Sequence, residues 1–278
     1  MGFWPAGLDR GGLSISARVA LYAVFGSPIA HSLSPKMHNA AFLQHRPGHY
    51  YVPIESSSDK LPGDLEAFRR IGGMGANLTR PLKEGIVPHL ADYTDRVARA
   101  KAANTIVWSS RGWLGDNTDI LALSEKLPQG QGKSAVILGS GGVARASWVA
   151  LSDRGYQVTV MARHPDQVWA GPVVVSWDWR FLDSGFDVLV NATPVGQQEE
   201  VSVEVGDLPH LQKPVLIVDW VYTPRLTPFM KWAQLYPDAQ LIDGLSLLIG
   251  QARWAWNVWF GQLAPEGIFE EAVRWQPL

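Results

Sequence analysis

The sequence predicts an α/β protein with parallel sheets and crossover helices, and three observations favour this class. Short apolar or β-branched runs alternate with helical patterns along the chain. A glycine-rich turn follows one of these runs and leads into a helical segment. The polar, turn-rich stretch 127–133 then marks a junction. We therefore expect a first domain over 1–119 and a second over 120–243, with the junction near 120–132.

The individual elements follow from the same patterns. Seven runs predict strands, at 20–25, 75–79, 104–108, 135–138, 157–161, 187–190 and 215–219. The C-terminal pattern predicts a long helix over about 245–260, a loop over 261–267 and a short helix that carries Ile268, Ala272 and Val273. Periodicity leaves open whether these last helices cover the second domain or cross back to the first.

Composition narrows the function to small-molecule chemistry. The 278 residues carry a formal charge of −2 and no long basic run, which gives no reason to expect a nucleic-acid surface. The absence of cysteine excludes disulfides, cysteine nucleophiles and thiolate metal sites, and the histidine spacing predicts no metal site. We assign the 13 tryptophans to cores.

The N-terminus and the apolar runs predict a soluble, cytoplasmic protein without a membrane partner. Residues 1–10 lack a charged start followed by an apolar core, and we expect 1–13 to be a loose extension. No run of about 18 apolar residues occurs, since Gln251, Arg253 and Asn257 interrupt the most apolar segment.

A helix start near residue 34 offers a place for an anion. Ser34 precedes Pro35, and serine caps free amides while proline suits the first helical position. Two hydroxyls, from Ser32 and Ser34, at such a helix N-terminus form a neutral cradle for a carboxylate. An ordinary helix cap explains the same residues.

Lys83 is the strongest candidate for a catalytic group. It ends the proline-stiffened turn 77–83, and Asp119 ends the later segment Gly115-Asp116-Asn117-Thr118-Asp119. A lysine donates a proton to a carbonyl oxygen that becomes an alkoxide, and an aspartate nearby holds the ammonium in place. A structural ion pair is the alternative, and the sequence does not show whether the two side chains meet.

The glycine turn predicts a dinucleotide site. Gly139, Gly141 and Ala144 fit the G-x-G-x-x-G/A spacing between a strand and a helix, where backbone amides approach a pyrophosphate. NAD sites usually carry an acidic residue after the next strand, but this chain has Arg163 there. An arginine fork suits a ribose phosphate, and Arg145 adds charge, so we expect NADP rather than NAD. A plain surface role for Arg163 is the alternative.

Two further loops, 191–196 and 218–224, follow predicted strands. Ligands of open parallel sheets bind beyond the carboxyl ends of the strands, which is where both loops fall. Taken alone, each segment is better explained as an ordinary loop.

Together, and in this order, the motifs resemble the shikimate dehydrogenase family over about 14–261. The segments that carry the resemblance are His31-Ser32-Leu33-Ser34-Pro35, Asn77-Leu78-Thr79-Arg80-Pro81-Leu82-Lys83, Ala103-Asn104-Thr105, Asn117-Thr118-Asp119, the glycine turn, Asn191-Ala192-Thr193-Pro194, Val221-Tyr222-Thr223-Pro224 and Gly250-Gln251.

The resemblance implies a fold and an activity. It implies an N-terminal α/β substrate domain, completed by helices from 244–278 that return to it, and a Rossmann-like NADP-binding domain inserted between them. The implied reaction is the reversible NADPH-dependent reduction of 3-dehydroshikimate to shikimate, in chorismate and aromatic amino-acid biosynthesis, by a monomer or homodimer.

The resemblance also implies roles for single residues. Lys83 and Asp119 form the catalytic pair, and Ser32 and Ser34 bind the substrate carboxylate. The remaining substrate contacts are Thr79, Asn104, Asp119, Tyr222 and Gln251. The implied cofactor contacts are Gly139, Ser140, Gly141, Gly142, Val143, Ala144, Arg145, Ala162, Arg163, Thr193, Val221 and Gly244.

The chain departs from the family pattern at three places, and other functions stay open. Ile120 replaces a glycine, Gln197 replaces a methionine, and Ala162-Arg163-His164 stands for Asn-Arg-Thr. The nearest rival is a quinate/shikimate dehydrogenase that prefers NAD. A non-catalytic sensor of pathway ligands is a further alternative, although it has no need of Lys83 and Asp119. A partner-binding protein requires an exposed tryptophan patch.

Overall fold

The computed structural model describes residues 19–178, 185–197, 214, 216–265 and 267–274. It contains two six-stranded sheets, and buried apolar clusters cover both faces of each. This arrangement confirms the predicted α/β class.

The first sheet has the strand order β2-β1-β3-β5-β6-β4. Its strands are β1 (Ala20–Gly26), β2 (His49–Glu55), β3 (Gly73–Leu78), β4 (Asp92–Tyr93), β5 (Thr105–Ser109) and β6 (Gly112–Asp116). The expectation of a parallel sheet is wrong for one half, because β5 pairs antiparallel with both β3 and β6. Only two residues connect β5 to β6, which is long enough for a hairpin but not for a parallel crossover.

The second sheet is parallel throughout, with the order β12-β11-β10-β7-β8-β9. Its strands are β7 (Ser134–Leu138), β8 (Gln157–Ala162), β9 (Val173–Ser176), β10 (Val188–Asn191), β11 (Leu216–Asp219) and β12 (Gln240–Ile242). The chain order reverses between β7 and β10, and such a switch point opens a crevice at the carboxyl ends of the strands. The loops after β7 and β10 therefore border that crevice.

Nine helices within the described ranges pack on these sheets. They are α1 (Ser34–His45), α2 (Leu61–Arg70), α3 (Leu82–Gly85), α4 (Asp95–Ala100), α5 (Thr118–Lys126), α6 (Gly142–Asp153), α7 (Pro228–Ala233), α8 (Gly244–Phe260) and α9 (Ile268–Arg274).

The C-terminal helices return to the first sheet, which settles the choice that periodicity left open. Phe269 of α9 and Trp256 of α8 share a buried cluster with Tyr22 of β1 and Phe42 of α1. A Cβ added at Gly250 of α8 lies 3.0 Å from the Ala122 Cβ of α5, so these two helices are in close contact. The division into domains stays a prediction, and its boundary at 119/120 lies within α5.

The aromatic side chains mostly fill the cores. No tryptophan is exposed in the part of the chain that the structure describes, and Trp232 and Trp256 are fully buried. Those residues therefore contain no tryptophan patch of the kind that a partner-binding protein requires. Among the helices listed above, none combines the length and the apolar character needed to cross a membrane.

Candidate active site

A cleft of about 260 Å³ lies between the two sheets. Its walls come from the ends of β1 and β3, from the loops after β10 and β11, and from α8. The predicted site residues that line it are Ser32, Ser34, Thr79, Lys83, Asn104, Asp119, Val143, Thr193, Val221, Tyr222, Gly244 and Gln251. The structure thus brings the predicted catalytic and substrate residues together in one place.

Lys83 and Asp119 meet in this cleft. The Lys83 Nζ donates to Asp119 Oδ2 at 2.7 Å, and the two side chains are 12% and 5% exposed. The Lys83 backbone oxygen also accepts a hydrogen bond from the Ala103 amide at 2.8 Å, which fixes the start of α3. Asp119 lies in the first turn of α5, where the Asn117 side chain caps the helix by accepting from the Ile120 amide.

Asn104 holds the other carboxylate oxygen. Its Nδ2 donates to Asp119 Oδ1 at 2.8 Å, and its Oδ1 accepts from the Thr118 amide at 2.7 Å. Both oxygens of Asp119 are therefore occupied by donors. An ammonium has three N–H groups, and Asp119 takes one of those of Lys83. The arrangement presents a fixed ammonium, backed by a carboxylate, to a ligand in the cleft.

The two serines line the cleft at the start of α1, but Ser34 does not cap that helix. Leu33 already has helical backbone angles, with φ −81° and ψ −11°, so Ser34 is the first helical residue. The Ser34 amide donates to Ser32 Oγ at 3.3 Å. The predicted cap at Ser34 is therefore wrong, because the turn begins one residue earlier.

Three more predicted substrate residues approach the cleft from different elements. Thr79 follows β3, and its Cγ2 would lie 2.3 Å from a Cβ added at Gly26, so glycine at the end of β1 allows its approach. Gln251 of α8 is 6% exposed and donates through Nε2 to the Leu248 carbonyl. Tyr222 follows β11, and burial raises the pKa of its hydroxyl.

The glycine turn after β7 has the shape that a dinucleotide needs. Gly139 has φ 107°, and a Cβ there would meet the Ala192 oxygen and the Thr193 Cγ2 at 3.0 Å. Gly141 precedes α6, and a Cβ there would meet nothing within 4 Å. The space beside Gly141 therefore leaves the N-terminal amides of α6 accessible, which suits a pyrophosphate. The residues present fit the dinucleotide that the sequence predicts.

The two arginines lie in different surroundings. Arg163 is exposed and follows β8, the strand beside β7. Arg145 does not line the cleft; its guanidinium lies 4.8 Å from the Trp169 ring centroid and 3.6 Å from Glu84 Oε1. Gly139, Ser140, Gly141, Gly142, Ala144, Ala162 and Arg163 likewise lie outside the cleft lining. Arg145 thus packs against Trp169 and lies close to Glu84 of α3.

A buried aspartate shapes the two loops on the second-sheet side. Asp219 Oδ1 accepts from Asn191 Nδ2 and from the Val221 amide, and its Oδ2 accepts from Thr227 Oγ1. Burial raises the pKa of Asp219 to about 6, against the lowering effect of these hydrogen bonds. Asn191 Oδ1 in turn accepts from the Thr193 amide and hydroxyl. These bonds fix the Thr193 and Val221 loops relative to each other.

Sequence reasoning missed several residues of the site. Asn77, Pro194 and Gln197 line the cleft without having been assigned a role. Tyr51 lies beneath it, with its hydroxyl 2.7 Å from Asn77 Oδ1. Asn77 begins the 77–83 turn and Pro194 lies in the 191–196 loop, both of which carry the family resemblance. Their position at the ends of strands was therefore a signal for a role in the site. Tyr51 lies on β2, a strand that was not predicted.

Known proteins are similar to this chain in sequence and in fold. The family profile described as the shikimate dehydrogenase substrate binding domain matches residues 24–106. The shikimate dehydrogenase (NADP(+)) of Alcanivorax borkumensis is 34% identical over 88% of this chain and 93% of its own. The chain belongs to the shikimate dehydrogenase family.

Solved structures of relatives agree with the fold. The shikimate 5-dehydrogenase of Thermus thermophilus, crystallised with NADP(H) and shikimate, has a TM-score of 0.80 at 32% identity, over 92% of this chain and 99% of that one. The 5-ketofructose reductase of a Gluconobacter strain has a TM-score of 0.77 at 25% identity, over 93% and 99%. The solved structures that resemble this chain thus include a shikimate dehydrogenase and a reductase that is named for another substrate, 5-ketofructose.

Proposed function

We propose that this chain catalyses the reversible NADPH-dependent reduction of 3-dehydroshikimate to shikimate. The observation that carries the proposal is the ion pair of Lys83 and Asp119, at 2.7 Å, in a cleft between a hydroxyl-bearing helix start and the loops of a dinucleotide-type sheet. The names of the similar enzymes, which are NADP-dependent shikimate dehydrogenases, support the same reaction.

The cleft offers a matching group for each part of the substrate. Ser32 and Ser34 lie at the N-terminus of α1 and bind the carboxylate through neutral hydroxyls and the helix dipole. Thr79, Asn104 and Gln251 carry the donors and acceptors that hold the ring hydroxyls. Tyr222 closes the same cleft beside them. The substrate is thereby oriented with its ketone toward Lys83.

Lys83 acts as the general acid. Its ammonium donates a proton from Nζ to the ketone oxygen while negative charge develops there, and this contribution is typically worth 10²–10⁴-fold, to order of magnitude. Asp119 and Asn104 keep the ammonium in place, so the cost of orienting it is met before the substrate arrives. Bound NADPH supplies the hydride. In the reverse direction the neutral amine of Lys83 takes the hydroxyl proton.

The cofactor preference follows from the glycine turn and Arg163. The open side of Gly141 and the N-terminal amides of α6 suit the pyrophosphate. Arg163 lies beyond the end of β8, where an acidic residue would favour NAD. Its exposed guanidinium suits a ribose phosphate, so we propose NADP as the cofactor.

We further propose the domain roles and the setting. The first sheet with α8 and α9 forms the substrate domain, and the second sheet forms the cofactor domain. The enzyme acts as a monomer or homodimer. It acts in the cytoplasm, where free NADPH is available for the reaction.

An absorbance assay at the reduced-nicotinamide band tests the proposal. Shikimate and quinate are each assayed with NADP and with NAD, and we expect the highest kcat/KM for shikimate with NADP. A higher kcat/KM for quinate with NAD identifies the chain as a quinate/shikimate dehydrogenase instead. If neither acid is oxidised but both bind in a calorimetric titration, the chain is a ligand sensor.

A further inference from the structure

We propose that Gly142 is a positioning residue for Lys83, and that its missing side chain lets the start of α6 pack against the aliphatic stem of the proton donor. The inference rests on the proposed function, since it takes Lys83 as the general acid. One glycine of the proposed cofactor-binding turn would then help to place the group that transfers the proton.

The contact is close along the whole stem. A Cβ built on Gly142 lies 2.8 Å from Lys83 Cδ, 3.1 Å from its Cβ and 3.4 Å from its Cγ. Favourable carbon–carbon contacts lie at about 3.5–4.0 Å, so a methyl group at this position overlaps the lysine. Gly142 has no positive φ, unlike Gly139. The close approach, rather than a special backbone conformation, is therefore the reason for glycine here.

Lys83 has little freedom to avoid such a methyl group. Its backbone oxygen accepts from the Ala103 amide at 2.8 Å, and its Nζ is bound to Asp119 at 2.7 Å. The side chain is held at both ends and is 12% exposed. A displaced stem must either pull Nζ from Asp119 or push α6 away from α3.

A second contact keeps α6 against α3. Arg145 lies three residues after Gly142, on the same face of α6. Its Nε lies 3.6 Å from Glu84 Oε1, next in sequence to Lys83, and its Nη1 donates to the Ala100 carbonyl at 3.5 Å. Burial lowers the pKa of Arg145, while Glu84 acts in the opposite direction. Two successive residues of α3 thus face two positions of α6.

The position of the Lys83 ammonium therefore depends on the position of the glycine turn and of the start of α6. A displacement of about 1 Å of a catalytic group costs roughly 100-fold in rate. A methyl at residue 142 displaces Lys83 without adding a group on the open side of Gly141, where the pyrophosphate is proposed to bind. A methyl that displaces only the Lys83 stem lowers turnover and keeps cofactor affinity. A loss of NADPH affinity as large as the loss of turnover means that α6 has moved instead, and it contradicts the inference.

The first experiment compares Gly142→Ala with two other glycine substitutions. We expect Gly142→Ala to lower kcat for shikimate oxidation roughly 10- to 100-fold and to change the Kd of NADPH, measured by fluorescence titration, less than threefold. Gly63→Ala on α2, where a Cβ meets nothing within 4 Å, is the matched control and should keep wild-type kcat. Gly141→Ala should weaken NADPH binding instead. Wild-type kcat in Gly142→Ala overturns the inference.

A double-mutant cycle with Lys83→Ala decides the cause. Lys83→Ala removes Cγ and Cδ, which include the closest approach at 2.8 Å, and leaves only the 3.1 Å approach to Cβ. Adding Gly142→Ala to it should therefore cost a much smaller factor in residual turnover than it costs in the wild-type background. If Gly142→Ala lowers kcat by the same factor in the wild-type and the Lys83→Ala background, the substitution does not act through the Lys83 stem, and the inference fails. If Gly142→Ala melts early, the double variant should recover part of the lost Tm, because the 2.8 Å overlap with Cδ is gone, and no recovery at all contradicts the overlap. The proposed function fails separately, if Lys83→Ala alone retains wild-type kcat.

Discussion

Tyr51 on β2 donates its hydroxyl hydrogen to Asn77 Oδ1 on β3 at 2.7 Å, although β1 lies between the two strands. Asn77 Nδ2 then donates to Thr105 Oγ1 at 3.0 Å, and Thr105 Oγ1 donates to Asn104 Oδ1 at 3.1 Å. Asn104 binds Asp119. A buried chain of hydrogen bonds therefore runs beneath the cleft and ends at the pair of Lys83 and Asp119.

Removing that hydroxyl should affect both stability and activity. In Tyr51→Phe the buried Asn77 Oδ1 loses its donor, so we expect the free energy of unfolding to fall by about 1–3 kcal/mol. We expect kcat/KM for shikimate to fall roughly fivefold, which is equivalent to about 1 kcal/mol. Tyr22→Phe is the control, because Tyr22 pairs with Tyr51 in the parallel register, is also buried and does not line the cleft. Urea denaturation and steady-state kinetics measure both effects, and equal losses in the two variants contradict the prediction.

The loss of the proposed acid should reduce turnover far more than binding. For Lys83→Ala we expect a decrease of roughly 100-fold or more in kcat, typical for removal of a general acid, with a smaller change in KM for shikimate. Lys60→Ala, at an exposed lysine just before α2, should keep wild-type values. Near wild-type kcat for Lys83→Ala would reject the assignment.

Arg163 should set the choice between the two nicotinamide cofactors. A charge-assisted hydrogen bond is worth about 1.5–3 kcal/mol, so Arg163→Ala should raise the KM for NADPH by about tenfold or more and leave that for NADH unchanged. Arg111→Ala, on the β5–β6 hairpin where Arg111 pairs with Asp92, is the control. A parallel rise for both cofactors would show that the guanidinium does not contact the ribose phosphate.

His38 should make the fold sensitive to acid. The ring is fully buried against Tyr51, at 4.5 Å between centroids, and neither nitrogen has a hydrogen-bond partner among the described residues. Burial lowers the pKa of His38 to about 3 from its ordinary 6.5. Below pH 6.5 His38 is therefore protonated in the unfolded chain but stays neutral in the folded chain. The free energy of unfolding consequently decreases as the pH falls from 6.5 towards 3.

His38→Phe removes this titration and keeps the aromatic ring. Relative to wild type, we expect its free energy of unfolding to gain on the order of 2 kcal/mol between pH 7 and pH 5. Urea denaturation at pH 7, 6 and 5 measures the difference, and His45→Gln, at an exposed position on the same helix, serves as the control. An unchanged pH dependence in His38→Phe argues against the burial effect.

Local signals in the sequence were enough to predict four parallel strands of the second sheet and the glycine turn. Each depends on a motif whose residues lie close together in the chain or occupy a known order. The pairing of Lys83 with Asp119 followed only from the family resemblance, because spacing did not show whether the two side chains meet. The sequence was not enough for contacts between distant segments. The location of Tyr51 on β2 and the attachment of Arg145 to Glu84 depend on tertiary packing that no local pattern encodes. The β5–β6 hairpin is a local feature, and it was missed because no strand was predicted over 112–116.

Cap geometry was a second limit. Ser34 and Pro35 predicted a serine cap, but the helical angles of Leu33 moved the start of α1 by one residue. The hydroxyl of Ser34 therefore does not cap the helix, and the residue lines the cleft. Residue propensity predicted the helix correctly but predicted the wrong capping residue. The backbone angles of Leu33 decide which amides at the start of α1 lack a partner, and helix ends are uncertain by about one or two residues.

The close approach of Gly250 to Ala122 places α8 directly beside α5, and these are the two segments through which the chain leaves the first sheet and comes back to it. The points of departure and return are therefore neighbours in space. We therefore expect that a short peptide between α5 and α8 can replace the second sheet with its helices, while the first sheet keeps its fold. We also expect any motion of one sheet relative to the other to turn about α5 and α8.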